Sequence, residues 1–237
     1  MTGRPNRGSA YPRYRSAAAR VHENSHSAAS RPTQTAVSAA SDSAGLPLDW
    51  ESLEYLALDF ETTGLDPRKC RVVEIGALRF KPASGYEIVE LGRIEALVNP
   101  EISIPAEVVA IHGIRDADVA SEPRFAEHAP GLVALAKDTI IIAHNAPFDL
   151  SFLREELARN GLPACNNAAL DTRLLAKAAF PGLGSYRLTA LAAFLGITPA
   201  RSHRAFDDAR TCATLFMAAA RLLAPHTMTQ GAESPGE

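Results

Sequence analysis

From residue 51 onward, apolar positions recur in blocks whose spacing changes along the chain, and those changes predict the order of elements. Three runs, at residues 55–60, 72–80 and 87–98, have strand composition. The turn-formers Thr63, Gly64, Asp66 and Pro67 separate the first two, and Pro82, Ser84 and Gly85 the second pair. Links this short predict an antiparallel meander. Residues 105–111 then predict a short helix, and residues 123–137 a longer one with Phe125, Leu132 and Leu135 among its apolar positions. The continuous run Thr139, Ile140, Ile141, Ile142, Ala143 suits a strand covered on both faces, and a fifth strand is predicted at 169–172. Pro147 favours a helix start, with further helices at 172–180, at 187–195 and from about 205 to 223.

Within this pattern, acids stand where apolar side chains belong. Asp59 and Glu61 lie two apart in the first strand, so they share a face, while Leu56, Leu58 and Phe60 line the other. Two adjacent carboxylates repel, and either one takes up a proton or a cation sits between them. Mg2+ and Mn2+ prefer oxygen ligands in octahedral geometry and suit such a pair if further acids reach the same point. An edge strand ending in solvated acids is the plain alternative. Asp149, Phe152, Leu153 and Leu157 fall on one helical stripe, which puts Asp149 on the buried side at the end of a central strand. Its alternative role is to complement the helix dipole. In the last helix, Asp208, Cys212, Leu215 and Phe216 share the apolar stripe, whereas Asp207, Arg210, Thr211 and Thr214 lie on the polar side. An inward, unpaired Asp208 would cost several kcal/mol, as an order of magnitude, so it calls for a metal or a counter-charge. His203 precedes that helix in a loop. The link Pro181, Gly182, Leu183, Gly184, Ser185 lacks the Gly-Lys-Ser/Thr ending of a phosphate loop and reads as a turn.

Composition then bounds the setting. The chain has 237 residues, 46% hydrophobic and 22% charged, enough for one domain with tails: residues 1–48 and 226–237 as disordered ends, 49–225 as the folded unit. Net charge is -3, but residues 1–50 hold Arg4, Arg7, Arg13, Arg15, Arg20 and Arg31 against Glu23, Asp42 and Asp49. The remainder is therefore acidic and invites cations. The Arg-rich, Ser-rich tail reads as a flexible segment with weak, salt-dependent attraction to nucleic acid, or as an organellar transit peptide. Cys70, Cys165 and Cys212 are odd in number and widely spaced, which excludes a disulfide framework or a zinc site and suits a reducing, cytoplasmic compartment. No apolar run is long enough to span a bilayer.

Taken together, Asp59-x-Glu61, then His144, Asn145, Phe148 and Asp149, then His203-x4-Asp208 resemble the motifs of the DEDDh (DnaQ-like) family of 3'-5' exonucleases over about residues 53–223. The resemblance implies an α/β, ribonuclease H-like fold with a mixed five-stranded sheet in the order 3-2-1-4-5, its first three strands antiparallel, flanked by helices. It implies two divalent metal ions, Mg2+ or Mn2+, on Asp59, Glu61, Asp149 and Asp208, with His203 as general base. Arg204 stands where the sister DEDDy group carries Tyr, which indicates the His subtype. By the same similarity, Thr62, Thr63, Gly64, Leu65, His112, Asn145 and Phe148 line the pocket for the terminal nucleotide. The expected partners are nucleic acid with a free 3' end, single-stranded or frayed DNA first, and a DNA polymerase subunit. RNA trimming and a non-catalytic nucleic-acid-binding or polymerase-binding module are the competing readings.

Overall fold

Strand-forming runs joined by turns and later by helices fold as the pattern predicts. A computed structural model of the chain describes residues 46–84, 86–198 and 203–224. β1 (Tyr55–Thr62), β2 (Val72–Pro82) and β3 (Ile88–Leu97) form the meander, followed by α1 (Ala106–His112), α2 (Asp116–Val119), α3 (Phe125–Ala136), β4 (Ile140–Ala143) and α4 (Pro147–Arg159). β5 (Ala169–Asp171), α5 (Thr172–Ala179), α6 (Leu188–Leu195) and α7 (Ala205–Leu223) complete the order. The sheet runs β3-β2-β1-β4-β5. β1, β2 and β3 pair antiparallel, while β4 is parallel to both β1 and β5. This is the mixed ribonuclease H-like sheet that the resemblance implies.

Alternation along β1 divides the core in two. Tyr55 and Ala57 pack on one face with Leu175, Leu191, Cys212, Leu215 and Phe216 from α5, α6 and α7. Leu56, Leu58 and Phe60 pack on the other with Phe125 and Leu132 of α3 and Phe152, Leu153 and Leu157 of α4. On the α7 side the Tyr55 ring lies 4.5 Å from that of Phe216 and 5.6 Å from that of Phe80, and its hydroxyl donates to the Trp50 carbonyl at 2.8 Å. Tyr55 is thereby buried with its polar atom satisfied.

Two details depart from the sequence reading. α2 is a single turn that the apolar pattern did not signal; its buried Val119 joins Val73, Ile104 and Ile114 in a satellite cluster. Thr211, assigned to the polar side of α7, is buried. α7 lies between the sheet and α5 and α6, so more than one of its stripes is covered, and the Thr211 hydroxyl satisfies itself by donating to the Asp207 carbonyl at 2.8 Å. At the N-terminal end of the described residues, Leu46 packs against the main core. Most of the two expected disordered tails lies outside the described residues. Among the described residues, no helix is long and apolar enough to cross a membrane.

The approach of α7 to β2 depends on Gly76. A Cβ there would lie 2.0 Å from the carbonyl carbon of Ala205, the first residue of α7. Only a bare backbone fits under this helix start. We expect Gly76→Ala to push α7 outward and to destabilise the domain by about 1–3 kcal/mol, the usual range for overpacking. Thermal denaturation followed by circular dichroism reads the loss; an unchanged midpoint would mean that α7 does not dock this tightly.

Candidate active site

Parallel pairing of β1, β4 and β5 places their C-terminal ends along one sheet edge, where ligands of such sheets bind. Asp59 and Glu61 stand at the end of β1 on the face toward α7, partly buried. β4 pairs with β1 only as far as Ala57. Past that point the first turn of α4 replaces the strand, and Asp149 Oδ1 accepts the Phe60 N–H at 3.0 Å. Asp149, 2% exposed, is thus held against β1 by the backbone bond that β4 leaves unmade. Asp208 enters from the first turn of α7, on the face of the sheet that Asp59 and Glu61 share and opposite the one α4 covers. Its Oδ2 accepts the His203 N–H at 3.2 Å, and ligand atoms of Glu61, His203 and Asp208 all lie within 4.8 Å of one another. His203 itself is exposed, with a left-handed backbone (φ 57°).

The electrostatics follow from this crowding. Burial raises the Asp59 carboxyl well above the ordinary range, and the charges of Asp149, Asp208, Glu61 and Glu74 push the same way. Among the described residues, no hydrogen-bond donor reaches it. Burial pushes Glu61 up to about 7, reinforced by Asp208 and Glu74 and opposed by Arg204. Asp149 is raised by burial against the pull of the Phe60 N–H, and Asp208 reaches about 6 through burial, opposed by His203. Hard oxygen donors held this close and short of positive charge fit a divalent cation.

Around the acids, the predicted pocket residues are placed unevenly. The Thr62 hydroxyl donates to the Gly64 carbonyl at 2.7 Å, while the Thr63 N–H and hydroxyl oxygen bond the Arg71 backbone at 2.9 and 3.0 Å. These contacts pin the turn, in which Leu65 is 83% exposed. His112 is buried at the end of α1, where Gly113 (φ 77°) closes the helix. Its Nδ1 accepts the Ile114 N–H at 3.0 Å, and Nε2 has no hydrogen-bond partner among the described residues. Burial holds its pKa below the ordinary histidine value, so the ring is neutral near pH 7. Phe148 is half-buried against Phe152, with ring centroids 5.0 Å apart. Asn145 turns away from the carboxylates: its N–H donates to Asp171 Oδ1 at 3.1 Å and its Oδ1 accepts from Arg173 at 3.5 Å.

A fifth acid escaped the sequence reading. Glu74 is 1% exposed and sits directly across from Glu61 in the β1–β2 register. Like charges in that relation repel. Arg204 neutralises Glu74 with bonds of 2.8 and 2.5 Å to Oε1, and the Ala205 N–H donates to Oε2 at 3.0 Å. The pair ties the start of α7, and with it His203 and Asp208, to β2. The available signal was an acid on the same strand face as Leu78 and Phe80.

In solution without metal, the raised carboxyls bind more protons folded than unfolded. A raised folded-state pKa stabilises the protein below the unfolded value, and that stability is lost as pH rises through the folded value. The melting temperature in EDTA should therefore fall by several degrees between about pH 5 and about pH 8. A flat or rising profile would contradict the crowding.

The family model "RNase_T: Exonuclease" matches residues 56–216. DNA polymerase III subunit epsilon of Treponema pallidum is 37% identical over 190 residues, covering 77% of this chain and 85% of that protein. DNA polymerase III PolC-type of Caldanaerobacter subterraneus is 34% identical over 164 residues, covering 69% of this chain but only 11% of that much longer one. Among solved structures, E. coli exonuclease I in complex with a dA16 oligonucleotide shares the fold at a TM-score of 0.63 and 20% identity, over 72% of this chain and 41% of that one.

Proposed function

The chain belongs to the RNase_T exonuclease family, and from that premise we propose that it hydrolyses nucleic acid from the 3' end, releasing nucleoside 5'-monophosphates. Asp59, Glu61, Asp149 and Asp208 hold two divalent cations, Mg2+ or Mn2+, and His203 is the general base. The observation that carries this reading is the convergence of four acids from three separate segments, each with a raised affinity for protons, beside an exposed imidazole. Bound there, divalent cations lower the pKa of the attacking water and offset charge on the departing 3' oxygen.

The chain's own groups do the rest. His203, tethered to Asp208 through its N–H, presents its ring at the rim, where the neutral form accepts the proton of water. The pinned turn at Thr62, Thr63 and Gly64 faces the terminal sugar, and exposed Leu65 packs against the last base. The buried His112 ring lines the pocket for the same nucleotide. Phe148 forms part of the wall. DNA is the substrate and proofreading or repair the setting: the relatives are a DNA polymerase III subunit epsilon and a DNA polymerase III of PolC type, and the structural neighbour was solved with an oligonucleotide of dA. The epsilon relative, itself a polymerase III subunit, supports a polymerase as protein partner.

Incubation with 5'-labelled single-stranded DNA, mismatched duplex and short RNA, each with Mg2+, Mn2+ or EDTA, tests the reading. DNA should shorten stepwise from the 3' end with either cation and stay intact in EDTA; equal digestion after chelation, or preference for RNA, would overturn the corresponding part. His203→Ala should lower kcat by about 10^2 to 10^4. Asp208→Asn should abolish turnover while Asp207→Asn is mild, and the reverse order would refute the role given to Asp208.

A further inference from the structure

The sheet edge that carries the acids continues past them into a second feature, an open cleft of about 470 Å3. His144, Asn145, Arg173, Ser185, Tyr186 and Arg187 line it. His144 and Asn145 directly follow β4 and Arg173 lies just past β5, so the cleft lies at the same C-terminal edge of the sheet as Asp59 and Glu61. Asn145 joins the two: it lines the cleft, and its carbonyl accepts the Phe148 N–H at 3.0 Å in the turn that leads to Asp149. The far wall is fixed by His144, whose Nε2–H donates to the Tyr186 carbonyl at 2.9 Å and whose pKa burial holds down.

The charge in this cleft is unusual for the molecule. Every arginine in the described residues between Arg68 and Arg221 holds a carboxylate within 4 Å, except Arg154, Arg173 and Arg187. Two of those three meet in the cleft, and both are exposed. Among the described residues, Asp171 forms no ion pair with either of them. Its Oδ1 accepts the backbone N–H groups of Asn145 and Arg173, at 3.1 and 2.8 Å. The Arg173 side chain reaches only the Asn145 amide oxygen. Guanidinium groups without a carboxylate, on an otherwise acidic domain, are matched to phosphate oxygens.

We infer that the cleft is a backbone subsite: Arg173 and Arg187 bind phosphodiester groups of the substrate strand on the 5' side of the bond that is cut. The inference rests on the exonuclease reading above and extends it to the strand beyond the terminal nucleotide. Contacts of this kind carry no base sequence, so the subsite sets affinity and register along the strand without selecting sequence.

The test removes charge from both partners. Fluorescence anisotropy in EDTA measures binding of 3'-ended single-stranded DNA in which one phosphate at a time is replaced by a neutral methylphosphonate. Wild type, the double variant R173Q/R187Q and the control R154Q, whose arginine is unpaired but outside the cleft, are compared. In wild type and R154Q, neutralising one of the first few linkages upstream of the 3' end should weaken binding about tenfold, and in R173Q/R187Q it should have no further effect. The salt dependence of the double variant should also be shallower by about 1.4 log units per log unit of salt, about 0.7 for each phosphate contact on a single strand. Additive losses, or an unchanged salt slope, overturn the subsite while leaving 3'-end hydrolysis standing. Coupling between the arginines and the linkages in a protein that shortens no strand would instead support the subsite and overturn the exonuclease reading.

Discussion

Mutual repulsion among carboxylates is the constraint around which one edge of this sheet is built. Asp59, Glu61, Asp149 and Asp208 are held by β1, α4 and α7, and each is driven toward its protonated form by burial and by its neighbours. A fold evolving for stability alone would separate them, since like charges in low dielectric are unfavourable. Instead the backbone holds them together: β4 stops short of β1's end, so that Asp149 takes the Phe60 N–H in its place. Positive charge arriving from outside the chain would relieve that repulsion.

The protein supplies its own cation where that charge is structural. Glu74 faces Glu61 across two strands, and Arg204 cancels it while anchoring the first turn of α7. Gly76, two residues along on the same face, lets the Ala205 backbone approach within contact of β2. These two features fix where Asp208 and His203 stand. The buried pair formed by Arg71 and Glu156 has the same character on the other side of the sheet, joining the start of β2 to α4 at 2.8 Å. Both helices that deliver a site acid are therefore tied to β2 by a charge pair with a buried glutamate.

Much of this was legible in the residues. Asp59 and Glu61 interrupt an apolar run at a spacing of two, and Asp149 and Asp208 occupy apolar stripes at helical spacing, so local periodicity alone places all four on covered faces. The strand order required the resemblance, because periodicity does not say which strands pair. What escaped was tertiary. Glu74 reads as a stray acid until the β1–β2 register sets it opposite Glu61, and Arg204 reads as a loop charge until α7 docks. Thr211 looked solvent-facing because a two-sided helix pattern assumes one covered stripe, whereas α7 is enclosed by the sheet, α5 and α6. The cleft of Arg173 and Arg187 joins segments that share no local pattern.

We propose that the acid cluster exchanges protons for divalent cations. Isothermal titration of Mn2+ into the protein at about pH 6.5, repeated in buffers of different ionisation enthalpy, measures the protons released on binding. Saturable binding is expected, with net proton release that shrinks as the pH is raised, and that binding should be lost in Asp59→Asn. Binding without proton release at any pH, or no difference between wild type and Asp59→Asn, would contradict it.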